Sequence, residues 1–518
     1  MAKDRLTEVL ERYEAVIGLE IHTEITATNT KMFCGCPVEF GGEPNSRVCP
    51  VCMGMPGALP VPNKAAIEWT VLAGLATECS IAPWSQFHRK NYFYPDMPKD
   101  YQISQYDLPF CANGRVSIDV DEDGVEERLD RETADNVTIT DDGYAAEIGI
   151  TRIHLEEDTA KMIHIGGAEG RIAGAKKSLV DFNRAGTPLM ELVTEPDLRT
   201  PEEARRFAQK LRLIWLALGV SDCSMEEGSM RVDANISLRN HGDTELGTKT
   251  ELKNINSFKS LHDGLAYEIV RQAAILDEGG RIIQETRHYD VTSKVTSALR
   301  SKEEAHDYRY FPEPDMVPFQ FDEAFVARIR ERLPELPDAR KARFIREYGL
   351  PTFDAKVLTS DHEMVEFYEE AVAAAGVKNA KAVSNMVLND LSAYLNTSGL
   401  GVLETKVSPQ HIAELVGLID DGTISSKQAK EVFTFMTESG DMPAEIVEQK
   451  GMKQVSDAGA IESVVEKLMV QFPDKVAEYQ GGKKGLIGFF VGQVMREMQG
   501  QANPQVVNQV LADKLDNA

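Results

Sequence analysis

Two segments of the chain alternate strictly between apolar and polar residues, which is the pattern of a β-strand with one buried face. In "AVIGLEIHTE" the apolar face would carry Ala15, Ile17, Leu19 and Ile21. The opposite face would carry Gly18, Glu20, His22 and Glu24. In "MRVDANISLR" the apolar face would carry Met230, Val232, Ala234, Ile236 and Leu238. The polar face would carry Arg231, Asp233, Asn235, Ser237 and Arg239. Each strand is therefore predicted to present charged side chains together on one face.

Apolar residues that recur every three or four positions predict a helix that begins at Thr200. Pro201 would occupy its first turn, and Glu203 would complete a capping box with Thr200. Apolar residues then recur at helical spacing: Ala204, Phe207, Leu211, Trp215 and Leu218. This stripe predicts an amphipathic helix with one buried face.

The pattern of the chain changes at a proline-rich segment, "RYFPEPDMVPFQ" at 309–320. Strand-like alternation dominates before it and helical periodicity after it, with a softer boundary near "SGDMPAEIVEQKG" at 439–451. We therefore predict an α+β fold. An antiparallel-sheet-rich domain would span residues 1–318, followed by two all-helical domains over residues 319–446 and 447–518.

Charge restricts the function. The 518 residues carry a net charge of −27, which argues against a protein that coats nucleic acid through general electrostatic attraction. From Lys450 onward, however, eight basic residues balance eight acidic ones, so a local nucleic-acid contact is possible there. The charged N-terminus does not resemble a signal peptide, and no apolar run approaches the ~20 residues of a membrane span. We expect a cytoplasmic protein without a membrane partner.

Four of the seven cysteines form a C-x-C pair followed by a C-x-x-C pair: Cys34, Cys36, Cys49 and Cys52. This order is typical of a tetrahedral thiolate site for zinc, and the alternative is four separate buried thiols. Four sulfur ligands would leave no open coordination position. The spacing therefore predicts a structural zinc site rather than a catalytic one.

Acidic residues recur in two further strand-like segments, "TRIHLEEDTAK" and "GTPLMELVTEP". They are Glu156, Glu157, Asp158 and Glu191. Taken singly, each segment is most simply the solvent-facing side of a sheet. If they converge with the acidic face that holds His22, the oxygen-rich set with one imidazole suits Mg²⁺ or Mn²⁺ better than zinc.

Residues 88–109, "HRKNYFYPDMPKDYQISQYDLP", combine aromatic side chains with turn prolines. The aromatic residues are Tyr92, Phe93, Tyr94, Tyr101 and Tyr106, with Lys90 and Lys99 spaced along the same segment. Rigid turns and aromatic side chains can build the fixed wall of a binding site. A surface loop with its own small aromatic cluster explains the pattern equally well.

Several of these segments resemble one family in the expected order. They include "YEAVIGLEIH", the two cysteine pairs, "MPGALPVPNK", "RKNYFYPDMPK", "HLEED", "DFNRAGTPLMELV", "GSMRVDANIS", "TELKNINSF" and "RYFPEPD". The chain is similar over essentially its whole length to the B subunits of glutamine-hydrolysing aspartyl/glutamyl-tRNA amidotransferases. The helical tail from "KGLIGFF" onward resembles the tail of the same family.

The resemblance implies a two-step reaction on misacylated tRNA(Gln) or tRNA(Asn). ATP with Mg²⁺ would phosphorylate the side-chain carboxylate, and ammonia would then displace the phosphate to form the amide. The chain carries no recognisable glutaminase signature. In this family the ammonia comes from a partner amidase, and the resemblance implies a heterotrimer with the amidase (A) and small (C) subunits. An internal tunnel would deliver the ammonia.

The resemblance also implies residue roles. The metal positions fall on His22, Glu157 and Glu191, with Glu20 and Asp233 for a second ion, and Glu157 would also act in catalysis. The tunnel and the site at its mouth would be lined by Lys90, Lys99 and Arg231. Asp100 stands where a glycine is expected, which raises the question of the backbone conformation at that turn.

The sequence contains no G-x-x-x-x-G-K-[ST] motif, so ATP would be held by the metal ions and the sheet rather than by a P-loop. In the neutral tail, Lys483 and Lys484 are the candidate tRNA contacts. Two other classes compete with this interpretation. A ligase for a free small acid would not need the tail, and a non-catalytic tRNA scaffold would not need the acidic cluster.

Overall fold

The computed structural model describes residues 2–39, 41–121, 134–140, 143–166, 174–301, 308–454, 457–498 and 502–517. They form two compact units, Met1–Leu336 and Pro337–Ala518. The first unit is sheet-rich and the second is helical, so the predicted α+β class is confirmed.

One large sheet organises the first unit. Its strands are β1 (Tyr13–Glu24), β2 (Ser80–Ile81), β6 (Cys111–Asp121), β7 (Val137–Thr140), β8 (Gly143–Glu157), β11 (Pro188–Thr194), β12 (Met230–Asn240), β13 (Thr250–Ile255), β14 (Glu285–Asp290) and β15 (Val295–Ser301). Their order is β15-β14-β13-β12-β1-β11-β8-β6-β2, and β7 pairs with β8. Neighbouring strands pair in antiparallel fashion, except β13 and β14, which are parallel.

The predicted alternation in β1 and β12 is confirmed. The apolar residues of both strands are buried in the main core, and the polar residues of β1 that face the other way are partly exposed. The two strands lie side by side, with Glu20 opposite Asp233 and His22 opposite Arg231. Their polar faces therefore form one continuous surface, which we call the polar face of the sheet.

The described helices of the first unit pack on the sheet, except the last, which packs on a neighbouring helix. They are α1 (Ala2–Leu10), α2 (Lys64–Ala76), α3 (Pro201–Leu218), α4 (Phe258–Asp277) and α5 (Glu323–Arg330). In α3 the predicted apolar stripe is buried and Thr200 accepts a hydrogen bond from the Glu203 amide, as expected. The predicted capping box does not form. The Glu203 carboxylate instead accepts from the Arg199 amide at 2.7 Å and from the Tyr144 hydroxyl at 2.8 Å.

Three small sheets complete the first unit. They pair β3 (Trp84–Ser85) with β17 (Phe319–Gln320), β9 (Lys161–Ile165) with β10 (Lys177–Asp181), and β4 (His88–Asn91) with both β5 (Tyr101–Ser104) and β16 (Phe311–Pro312). The turn before β5 contains Asp100 at a φ of 62°. Asp100 thus adopts the left-handed conformation that a glycine would favour, and its amide donates to the Met97 carbonyl at 3.0 Å.

The second unit consists of helices. They are α6 (Pro337–Tyr348), α7 (Thr352–Thr359), α8 (His362–Ala375), α9 (Ala380–Asn385), α10 (Ser392–Ser398), α11 (Pro409–Asp420), α12 (Ser426–Ser439), α13 (Pro443–Gln449), α14 (Ala458–Gln471), α15 (Pro473–Gln480), α16 (Ile487–Glu497) and α17 (Pro504–Asn517). A π-helical segment, Met386–Leu391, lies between α9 and α10. Two apolar clusters form, one from Phe344 to Val447 and one from Ile461 to Leu515, and the predicted division at 446/447 falls close to the gap between them.

The first compact unit extends past the predicted boundary at 318. Helix α5 packs against α2, and Ile329 is buried in the core of the first unit. Arg332 donates to Glu68 at 2.9 Å. The proline-rich segment therefore leads into one further helix of the first unit before the helical unit begins.

Among the described residues, none of the helices combines the length and the apolar character needed to cross a membrane.

A buried carboxylate joins α4 to the sheet. Glu268 is fully buried and accepts hydrogen bonds from Arg271 at 2.5 and 2.9 Å, Thr250 at 2.9 Å and Thr296 at 3.0 Å. Burial alone would raise the pKa of Glu268, but the hydrogen bonds and charge of Arg271, together with the hydrogen bonds from Gln272 and Thr250, lower it. The helix is thus fixed to β13 and β15 through an ionised group.

We predict that Glu268→Ala lowers the free energy of unfolding by about 3–5 kcal/mol, because it leaves the half-buried Arg271 guanidinium without its carboxylate. Urea unfolding of the variant measures this. The control is Asp263→Ala on the same helix, which removes the surface partner of Lys259 and should change stability little. Equal stability of the two variants would contradict the structural role of Glu268.

Candidate active site and metal centres

The register of three neighbouring strands builds a cluster of acids and histidines on the polar face. His22 of β1 lies opposite Glu191 of β11, and Glu191 lies opposite His154 of β8. Glu156, two residues after His154, points to the same face because side chains alternate along a strand. One ligand atom from each of His22, Glu156 and Glu191 lies within 4.8 Å of the others.

The cluster is dense in charge and almost closed to solvent. His22 Nε2 lies 3.1 Å from Glu191 Oε2, and His154 Nε2 lies 3.4 Å from the same oxygen and 3.6 Å from Glu156 Oε2. Burial would lower the pKa of His22, but the charge and hydrogen bond of Glu191, together with the charges of Glu156 and Asp233, raise it to about 9. Burial would raise the pKa of Glu191, but the two histidines hold it well below its usual value.

Glu157, which the resemblance implies as a metal ligand, does not lie in this cluster. As the next residue along β8, it points to the opposite side of the strand. There it accepts hydrogen bonds from Lys99 Nζ at 2.6 Å and from the Ile103 amide at 3.0 Å. Glu156 stands with His22 and Glu191 instead.

The tunnel residues implied by the resemblance lie in different places. Lys90 lies near the cluster: burial would lower its pKa, but Glu156 and Glu191 are among the charges that raise it above its usual value. Lys99 lies with Glu157 on the other side of β8. Arg231 donates to Asp158 at 2.7 Å, and the same carboxylate accepts from Arg184 at 3.1 Å.

The two residues implied for a second ion are close neighbours. Glu20 and Asp233 are cross-strand partners on the polar face. Glu20 accepts from the Asn235 amide group at 2.9 Å, and Asp233 accepts from Lys253 at 2.9 Å. Both carboxylates thus have polar partners beside the cluster of His22, Glu156 and Glu191.

The four cysteines of the C-x-C and C-x-x-C pairs also converge. Their sulfur atoms all lie within 4.8 Å of one another, and those of Cys49 and Cys52 are 3.9 Å apart. Tetrahedral zinc with bonds of about 2.3 Å requires sulfur atoms about 3.8 Å apart, so the set fits zinc. The hydrogen bond from Cys34, together with the nearby Lys31 ammonium, lowers the pKa of the Cys52 thiol to about 4.

A cavity of about 130 Å³ lies between the cysteine site and the Lys99–Glu157 pair. Its lining includes Cys34, Cys52, the buried Lys31, Lys99 and Glu157. The cysteine loop therefore helps to form a small polar compartment on the far side of β8 from the acidic cluster.

In the second unit, the predicted tRNA contacts are exposed but already paired. Lys483 lies 3.1 Å from Glu478 and Lys484 lies 2.5 Å from Asp516. The Lys484 ammonium also lies 4.1 Å from the centre of the Tyr479 ring.

From the sequence, Glu156 was counted among the converging acids, but His154 was missed and Glu156 was not separated from Glu157, although a signal was present. In "TRIHLEE", the apolar residues Ile153 and Leu155 alternate with Arg152, His154 and Glu156. The rule applied to β1 would have placed His154 and Glu156 on the polar face and Glu157 on the other.

Comparison with known proteins agrees with the resemblance. Residues 15–327 match the family model described as the GatB/GatE catalytic domain, and residues 366–515 match the GatB domain. The chain is 52% identical over 506 residues to the B subunit of the aspartyl/glutamyl-tRNA(Asn/Gln) amidotransferase of Carboxydothermus hydrogenoformans, covering 98% of this chain and 99% of that protein. It is 51% identical to the Syntrophotalea carbinolica protein of the same name, covering 97% and 99% of the two chains. The chain therefore belongs to the family of aspartyl/glutamyl-tRNA(Asn/Gln) amidotransferase B subunits.

Proposed function

We propose that the chain performs ATP-dependent transamidation of misacylated Glu-tRNA(Gln) or Asp-tRNA(Asn). The side-chain carboxylate is first phosphorylated, and ammonia then displaces the phosphate to form the amide. Phosphorylation is needed because a carboxylate oxygen is a poor leaving group. The observation that carries this proposal is the convergence of His22, Glu156 and Glu191 on one face of the sheet, beside the Lys90 ammonium.

The cluster fits a hard divalent ion. Two buried carboxylates lie close together with one imidazole, and such an oxygen-rich set suits Mg²⁺. His22, Glu156 and Glu191 would hold this ion, and Glu20 with Asp233, which now pairs with Lys253, would hold a second one. When bound, Mg²⁺ would neutralise part of the negative charge on the transferring phosphoryl group.

The basic residues of the polar face would bind and orient the anionic groups of the substrates. Lys90 lies close enough to Glu156 and Glu191 to stabilise phosphate oxygens at the cluster. Arg231 is held in position by its hydrogen bond to the buried Asp158. Because the sequence lacks a P-loop motif, these side chains and the ions would bind ATP in its place.

Ammonia would come from a partner amidase, in a heterotrimer of this chain with the amidase (A) and small (C) subunits. The Lys99–Glu157 pair supports a polar route for ammonia, because it borders the cavity on the far side of β8 and lies one residue along the strand from Glu156. The paired ammonium and carboxylate would offer hydrogen-bonding groups to ammonia as it passes. Glu157 would then act in ammonia delivery rather than as a metal ligand.

The cysteine site would hold a structural zinc ion. Its four sulfur atoms would complete the coordination, so no position is left for a substrate. When bound, zinc stabilises the loop that forms one wall of the cavity. The second unit would bind the tRNA, with contacts from Lys483 and Lys484 in its neutral tail.

The matched pair Glu156→Gln and Glu157→Gln tests the catalytic assignment. Both side chains are about 2% exposed and adjacent in sequence, so the substitutions differ mainly in the face that they alter. In the complex with its partner subunits, we expect Glu156→Gln to abolish phosphate release from radiolabelled ATP with misacylated tRNA, because a metal ligand is lost. Glu157→Gln should retain phosphate release and amide formation from added ammonium, while losing glutamine-dependent amide formation.

Free glutamate in place of misacylated tRNA should give no phosphate release with the wild-type complex. Phosphate release with free glutamate would favour a small-acid ligase, and none with either substrate would favour a non-catalytic scaffold. Equal losses in both variants would contradict the separation of Glu156 and Glu157.

We predict that Cys34→Ser combined with Cys52→Ser removes about one zinc ion per chain and lowers the melting temperature, since a closed thiolate site contributes folding free energy. Elemental analysis and thermal unfolding measure the two effects. Cys79→Ser, which alters a buried thiol outside the cluster, should leave the zinc content unchanged. Wild-type protein without zinc would refute the site.

We predict that Lys483→Ala combined with Lys484→Ala weakens tRNA binding and lowers the slope of log affinity against log salt by about one to two, because each lost phosphate contact removes about 0.7–0.9. Titration with labelled tRNA at several salt concentrations measures this. Lys467→Ala, an exposed lysine paired with Glu497, is the control. An unchanged slope would indicate that the tail binds a partner protein instead.

A further inference from the structure

Beside the acidic cluster, two tyrosine rings stack at the edge of a three-stranded sheet. Tyr106 follows β5 and Tyr310 precedes β16, and both strands pair with β4. Their ring centres are 4.5 Å apart and the rings are inclined by 15°. The His88 ring is inclined by 75° to the Tyr106 ring, with centres 6.5 Å apart.

Tyr106 remains 58% exposed although one ring face is covered by Tyr310. More than half of Tyr106 therefore remains accessible to solvent beside a stacked ring. An accessible aromatic ring is what a nucleobase requires for stacking, and it accepts any base because every base has a π-face.

The stack is held in a strained backbone. Arg309, between Tyr308 and Tyr310, has a φ of 45°, which a residue with a β-carbon rarely adopts. The side-chain amide of Asn91 donates at 2.8 Å to the carbonyls of both Tyr308 and Arg309, which fixes this turn. Strain that the surrounding structure maintains is typical of functional sites.

The stack also leads toward the acidic cluster. Lys90 Nζ lies 5.1 Å from the centre of the Tyr308 ring, and Tyr308 contacts Tyr310 edge-on at 6.0 Å. Burial raises the pKa of Tyr310 to about 12, and the charges of Glu156 and Glu191 act in the same direction. The Tyr310 side of the stack thus lies beside the Lys90 ammonium and the carboxylates of Glu156 and Glu191.

We propose that the stacked Tyr106–Tyr310 pair is an adenine-binding platform, from which the groups attached to the ribose reach Lys90 and the cluster of His22, Glu156 and Glu191. Two substrates of the proposed function carry adenosine: ATP, with phosphates on the ribose, and aminoacyl-tRNA, with the amino acid esterified to the terminal adenosine. This inference rests on the proposed function. The shared chemistry is a purine that stacks on an aromatic ring.

The test compares Tyr106→Leu with Tyr106→Phe in the complete amidotransferase complex, with KM measured separately for ATP and for misacylated tRNA. We expect Tyr106→Leu to raise one of the two KM values by about tenfold or more, since losing one base–aromatic stack weakens binding by that factor. Tyr106→Phe, which keeps the ring, should remain within about twofold of wild type. The substrate whose KM rises identifies the source of the adenine.

Two controls make the result specific. Trp84→Leu removes an exposed aromatic ring from β3 and should leave both KM values unchanged. Tyr106→Trp enlarges the platform and should keep or lower the affected KM. Free adenosine serves as a probe, and we expect it to compete with the affected substrate in the wild-type complex and less well in Tyr106→Leu.

Unchanged KM values for both substrates in an active Tyr106→Leu complex would overturn the platform and leave the proposed function standing. A loss in Tyr106→Phe equal to that in Tyr106→Leu would also overturn it, because the hydroxyl rather than the ring would then matter. Absence of ATP-dependent amide formation in the wild-type complex would instead overturn the proposed function.

Discussion

The antiparallel register of β1 with its two neighbours is the constraint on which the rest of the site depends. It sets His22 opposite Glu191 on one side and opposite Arg231 on the other, while Glu20 meets Asp233. Because side chains alternate with a period of two, a shift by one residue would bury these charges and expose the apolar face. The buried face of the sheet thus enforces the register, and the register assembles the acids. Core packing and the site geometry have the same origin.

Each buried carboxylate of this region is matched by a cation, because an unpaired buried charge is very costly. Glu191 lies between two histidines, Glu157 pairs with Lys99, and two arginines share Asp158. The alternation of β8 then separates two chemistries that are adjacent in sequence. Glu156 belongs to the acidic cluster and Glu157 to the compartment beside the cysteines, so one strand serves as the partition between them.

Much of the fold could be predicted from the sequence, because local periodicity determines which side of a strand or helix is buried. The faces of β1 and β12, the stripe of α3 and the cysteine set all follow from spacing of this kind. What failed depends on contacts between distant segments. Glu203 was expected to cap its own helix, yet its carboxylate meets Tyr144 of another strand, which no local pattern reveals. The placement of Glu156 and Glu157 is a different case. The alternation of β8 alone was enough to put Glu156 on the face of His154, but the resemblance pointed to Glu157.

The surplus of negative charge raises the question of how such a chain could hold polyanionic substrates. At physiological ionic strength, charges farther than about 8–10 Å are largely screened, so distant acidic surfaces repel a phosphate only weakly. Attraction must then come from nearby cations: Lys90 lies beside the acidic cluster, Arg231 and Lys253 lie on β12 and β13, and Arg184 shares Asp158 with Arg231. Three of these are held by hydrogen bonds to carboxylates, which reduces their attraction for anions but fixes their positions. Stacking on an aromatic ring adds an attraction that does not depend on net charge. A strongly acidic protein can therefore recognise a nucleotide at a site where pre-positioned cations, bound metal ions and a flat aromatic surface lie together.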